Sequence, residues 1–179
     1  VKVFAAGGKF AFEDNWDYPN TFDAVAEFGP GPVAKRGFLL QYTMRVGGRR
    51  ETRAHGKCFI GSEASMVVDR TGFTIVQDLK RGQKLTSAAA LVNPEEHTPA
   101  TDDHLYHFEV FLNNLRHRKQ PEANLETCHY ATALGHLMNI SWETGRAIRW
   151  DGAGERVLND AAANALVMRP YRAPWKLEV

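Results

Sequence analysis

HFEVFLNNLRHRKQPEANLETCHYATALGHLMNISWETGRAIRWDGAGERVLNDAAANALVMRPYRAPWKL, residues 107–177, sets two helix patterns, a short strand and a Pro-bounded tail in a fixed order. Upstream of it, Thr101 is a good N-cap, and Asp102 and Asp103 follow in the first turn, where the helix dipole favours negative charge. Leu105, Phe108, Leu112 and Leu115 then recur at helical spacing, which predicts an amphipathic helix ending near Lys119 and Pro121. A second helix is predicted from residues 124–126 to Gly145, with Leu134, Leu137 and Met138 on its apolar face and Trp142 packed in its last turn. AIRW, residues 147–150, reads as a strand, and Asp160 caps a final short helix that Pro170 ends.

Working back from this stretch, the first two-fifths of the chain alternates with period two. Residues 1–12 read as a strand with a bulge or close approach at Gly7 and Gly8, and DNWDYPN supplies a turn. Phe22, Ala24, Ala26 and Phe28 fall on one face of a second strand, and Phe38, Leu40, Tyr42, Met44 and Val46 on one face of a third. Gly47-Gly48 signals a hairpin into a returning strand, residues 49–60, which places Arg53, His55 and Lys57 on the same side. Residues 65–69 and 73–76 flank Thr71-Gly72 as a further hairpin, and residues 81–100 read as a polar, Pro-containing connection. Strands first and helices last give an α+β fold: a mostly antiparallel, open-faced sheet with helices packed on one face. The expected organisation is a single domain over residues 1–179.

Composition narrows the function classes. With 44% hydrophobic and 24% charged residues the chain is ordinary for a globular domain, and 22 basic against 21 acidic residues give no reason to expect a polyanionic partner. Arg116, His117, Arg118 and Lys119 sit where a helix dipole accounts for them, so nucleic acid is not an expected partner. Cys58 and Cys128 form neither a CxxC pair nor a disulfide framework and read as buried or half-buried thiols. No apolar run approaches a membrane span, and no signal peptide is visible in these residues.

Of the seven histidines, His104 and His107 are helix neighbours, but no ligand set completes a metal site around them. A small metal-dependent hydrolase is the weakest of the functional readings for that reason. His136, between Leu134 and Leu137, reads as a satisfied core histidine; His129, nearer the helix start, is placed to face a cleft. Trp16 and Tyr18 could stack on a sugar ring, against the rival role of packing the loop on a neighbouring domain or subunit. Glu95 and Glu96 sit in a polar loop with no sign of a two-carboxylate glycosidase site.

The 107–177 segment strongly resembles the C-terminal end of bacterial members of the Gfo/Idh/MocA oxidoreductase family, and GGKFAFEDNWDYPNT (7–21) and FIGSEASMVVDR (59–70) continue the resemblance. The resemblance implies the C-terminal domain of an NAD- or NADP-dependent oxidoreductase acting on a sugar, polyol or related carbohydrate, which shapes the substrate pocket and self-associates through the open sheet face. It implies substrate contacts from Arg53 and His55, in RRETRAHGKCFIGSEA (49–64), and from His129 of ETCH; Tyr18 joins these candidates on its aromatic chemistry. A solvated strand face also favours Arg and His, and Ala64 departs from the glycine usual in the family hairpin.

No G-x-G-x-x-G is present, and neither is the family's E-K-P segment, whose lysine takes part in proton transfer, so no catalytic residue and no cofactor binding are expected in this stretch alone. Asp103 and His107 reproduce the family's D-x-x-x-H spacing, but on a helix after the strands, where the match reads as coincidence. The opening on Val1 in mid-strand suggests a piece of a longer protein, and bacterial relatives with twin-arginine signals leave the compartment between cytoplasm and periplasm. The alternative from a different class is a non-catalytic, self-associating interaction module.

Overall fold

The computed structural model describes residues 1–46, 55–62, 64–69, 72–77, 90–92 and 103–176. Its elements run β1 (Lys2–Gly8), β2 (Thr21–Phe28), β3 (Phe38–Arg45), β4 (Lys57–Ile60), β5 (Ala64–Asp69), β6 (Gly72–Gln77), β7 (Ala90–Val92), α1 (Asp103–His117), α2 (Leu125–Thr144), β8 (Ile148–Asp151), β9 (Arg156–Val157) and α3 (Ala161–Ala165). Antiparallel sheets and, among the described residues, three helices make the fold α+β, as the order of patterns predicts. They fall into two compact units, one drawn from Val1–Gly48 with Ala123–Val179, the other from Arg49–Glu122.

In the first unit, the described strands order as β3-β2-β1-β8-β9, every neighbour antiparallel. Alternation decides the buried face. Val3 and Ala5 of β1 and Phe22, Ala24 and Ala26 of β2 turn inward, and Leu137, Met138 and Ile140 of α2, Ile148 of β8, Val157 of β9 and Ala163 of α3 complete the core. Ala5, Ala24 and Ala26 each place only a methyl group on this face, which lets α2 pack closely on the sheet. Phe4, Val25 and Leu39 point to the other face and are 51%, 41% and 70% exposed, so that face is open and partly apolar.

Gly7 shows why β1 carries glycine: a Cβ there would meet the Thr21 carbonyl oxygen at 2.5 Å, so only glycine allows this approach of the strands. β8 pairs with β1 only at Lys2 and Val3. Beyond Val3 the last turns of α2 take over this edge. The fully buried Ser141 accepts a hydrogen bond at Oγ from the Ala5 N–H at 3.0 Å and donates to the Arg146 carbonyl at 2.7 Å, while Trp142 Nε1 donates to the Gly7 carbonyl at 3.0 Å. Backbone groups that a shorter sheet would leave unpaired are thereby satisfied.

α2 has the ends its sequence predicts. Asn124 accepts from the Thr127 N–H at 2.9 Å, and Gly145, at φ 64°, closes the C-terminus with its N–H turned back onto the helix carbonyls. Asp160 likewise caps α3, but α3 stops at Ala165, five residues short of Pro170; Leu166 and Val167 close it with hydrogen bonds to Ala163 and Asn164. The β8–β9 hairpin was not expected. It turns on Asp151, whose Oδ1 accepts from the N–H groups of Ala153 and Gly154 at 3.2 Å each.

The second unit holds an antiparallel meander in the order β4-β5-β6-β7, together with α1. The β5–β6 hairpin and α1 match the sequence reading. Two expectations are corrected: His55 and Gly56 precede β4 rather than lying within a strand, and the supposed polar connection contains β7, where Ala90 and Val92 pair with β6. Cys58 and Cys128 are both exposed, not buried. The Gly47-Gly48 hairpin signal, Arg53, Glu95, Glu96 and the Thr101 cap lie outside the described residues. Among the described residues no helix is long and apolar enough to cross a membrane.

Candidate functional site

A cavity of about 530 Å³ opens in the first unit between α2 and strands β2 and β3. The sheet supplies Phe22, Leu40, Tyr42 and Met44; α2 supplies Ala131, Thr132, Leu134, Gly135, His136, Met138 and Asn139; Tyr18 and Pro19 come from the β1–β2 loop. Apolar walls with a few hydroxyl, amide and imidazole groups are the usual build of a small-molecule site, in which the polar groups fix orientation. Thr132, His136 and Asn139 reach it together because steps of four and three residues fall on one side of a helix.

The β1–β2 loop is held by its own polar groups. Buried Asn20 accepts at Oδ1 from the N–H groups of Phe10 and Ala11 at 3.1 and 3.2 Å, and its Nδ2 donates to the Phe12 carbonyl at 2.6 Å. Lys9 Nζ lies 2.9 Å from Asp14 Oδ1, and the Trp16 N–H donates to the same carboxylate. The Lys9 hydrogen bond, helped by that of Trp16 and opposed by dehydration, keeps the Asp14 pKa below the ordinary 3.8. So anchored, the loop sets Tyr18 against Trp142, ring centroids 5.8 Å apart, with the Tyr18 hydroxyl donating to Glu143 Oε1 at 3.3 Å.

The four substrate-contact candidates separate. Tyr18 lines the cavity. His129 does not: it is exposed, and its Nε2 lies 2.7 Å from Oε1 of Glu155, a residue of the β8–β9 turn held at φ 44°. His55 is exposed in the second unit, and Arg53 is outside the described residues. His136, expected in the core, is exposed and lines the cavity. Its apolar neighbours in sequence concealed this; the spacing Thr132, His136, Asn139 was the signal that a polar strip runs down this side of α2.

Two further carboxylates hold the frame near α2. Asp160 takes both Nε and Nη2 of Arg146, at 2.7 and 3.0 Å, and caps α3 through the Ala163 N–H. The Arg146 bond, then the Ala163 N–H, hold its pKa below the ordinary value. Asp151 is lowered chiefly by the Gly154 N–H, with Ala153 and Arg156 adding. Among the described residues no group of three or more His, Cys, Asp or Glu could hold a metal ion.

A family model described as an oxidoreductase-family C-terminal alpha/beta domain, of the Gfo/Idh/MocA type, matches residues 87–177. The chain belongs to the Gfo/Idh/MocA oxidoreductase family. No match was found among curated proteins or among solved structures. The segment matched to the Gfo/Idh/MocA domain includes all of α2, so the helical wall of the cavity, with Thr132, His136 and Asn139, lies within the part of the chain that carries the family signature.

Proposed function

We propose that this chain forms the substrate pocket of an NAD- or NADP-dependent oxidoreductase whose substrate is a sugar, polyol or related carbohydrate. In this reading a nicotinamide held by a nucleotide-binding domain would supply hydride transfer from a hydroxyl-bearing carbon, with the hydroxyl proton passing to a general base, and the present residues would orient the substrate. The observation that carries it is the cavity beside α2, in a chain of an oxidoreductase family. Tyr18, Thr132, His136 and Asn139 offer donors and acceptors suited to hydroxyl groups, and Tyr18 and Tyr42 offer ring faces to C–H surfaces. Arg53, His55 and His129 are the further candidate contacts that the family resemblance names.

Calorimetric titration of the chain with a panel of sugars and polyols tests this. Binding of at least one is expected, weakened by about 1–3 kcal/mol in Tyr18→Ala or His136→Ala, the usual penalty for removing one partner of a buried hydrogen bond. Titration with NAD and NADP is expected to show no binding to this chain. A panel without any binder, or variants that bind as the wild type does, would remove the cavity from the proposal.

A second reading has its own observation. Phe4, Val25 and Leu39 give the open sheet face an exposed apolar surface, which supports self-association there with or without catalysis.

A further inference from the structure

Two exposed segments of the first unit are chemical opposites. The β1–β2 loop presents Phe10 and Trp16, 78% and 73% exposed, beside Glu13 and Asp17, neither of which has an ion-pair partner among the described residues. Lys9, the loop's one cation, is already engaged with Asp14. The segment after α3, residues 166–176, presents Tyr171 and Trp175, 54% and 68% exposed, among the exposed cations Arg169, Arg172 and Lys176, and it contains no acid.

Four basic side chains elsewhere in the first unit, Lys9, Arg45, Arg146 and Arg156, each hold a carboxylate. Arg169, Arg172 and Lys176 hold none among the described residues. Within one copy no hydrogen bond, ion pair or ring contact joins the loop to this segment, and their tryptophans stay open to solvent.

We propose that residues 166–176 of one copy dock on the β1–β2 loop of a second copy. Arg169, Arg172 and Lys176 then meet Glu13 and Asp17, and guanidinium groups and rings from one copy stack on Phe10 and Trp16 of the other. Every copy carries both halves of the complementary pair, so two copies can satisfy each other reciprocally across a two-fold axis. The loop is suited to the role because Asn20 and Asp14 fix its shape beforehand, which reduces the ordering cost of binding.

Charge reversal tests the contact. One variant carries Arg169→Glu and Arg172→Glu, the other Glu13→Lys and Asp17→Lys; all four positions are exposed, and circular dichroism checks that both variants fold. In sedimentation at low salt each variant alone should associate at least roughly tenfold more weakly than wild type, since like charges then face each other. An equimolar mixture should recover wild-type association, because the acidic segment of one variant meets the basic loop of the other while the second contact keeps its natural charges. Docking within one copy predicts no recovery on mixing and overturns the proposal. The open sheet face is unchanged in both variants, so association carried by that face alone leaves each equal to wild type, which overturns the proposal as well. A monomeric wild type does the same.

Discussion

At Ser141 one hydroxyl joins helix to sheet, accepting from the Ala5 N–H of β1 and donating to the Arg146 carbonyl beyond the helix end. The side chain is fully buried, so Ser141→Ala leaves a donor and an acceptor without partners where water cannot replace them. Urea unfolding should show a loss of about 1–3 kcal/mol. Thr144 gives the comparison, since its hydroxyl bonds back to Ile140 and Ser141 of its own helix; Thr144→Ala should stay within about 0.5 kcal/mol. Equal losses in the two variants would show that the bridge to β1 adds nothing beyond a hydroxyl bonded within its own helix, since alanine favours the helix over either residue. Nothing in the sequence marks Ser141 for this role, because a serine next to Trp142 has the same letters whether it faces solvent or a strand edge.

Elements were legible where local chemistry decides them. Asn124 and Gly145 frame α2 because a side-chain oxygen and a left-handed glycine satisfy the end groups of a helix without help from elsewhere. β2 was legible from Phe22, Ala24 and Ala26, whose alternation admits one buried face. β7 was not, since three residues become a strand only because β6 lies beside them, and His136 was not, since its exposure depends on how far the sheet reaches past α2. Asp160 ties elements together: it caps α3 and pairs with Arg146 after α2. Its pKa is depressed in the folded chain, so its contribution is full above the ordinary 3.8 and is lost as pH falls through the lower folded value. Asp160→Asn keeps a capping oxygen but removes the charge. Between about pH 5 and pH 2 the melting temperature of the wild type should therefore fall more than that of the variant; Asp14 and Asp151 act in both proteins and cancel. Parallel curves would show that the Arg146 pair adds nothing beyond the cap.

For the molecule as a whole, the strand register governs which surface remains available once α2 has covered one side of the first unit's sheet. Phe4 lies opposite Val25, and Val25 opposite Gln41; Glu27 lies opposite Leu39, so apolar groups on the open face are interleaved with polar ones. Such a face can stay in solution alone yet lose unfavourable contact with water when two copies meet, which is the physical basis of the proposed self-association. Val25→Lys with Leu39→Lys should leave the fold intact, because both side chains point away from the core, and should weaken association across this face at least roughly tenfold, or about 1.4 kcal/mol. The charge-reversal pair at Glu13, Asp17, Arg169 and Arg172 acts elsewhere on the surface. Lysines on the sheet that abolish all association would assign it to the face alone. If instead they remove one association step, and reversed charges remove another that mixing restores, each copy uses two surfaces, and assemblies larger than a dimer follow from their combination.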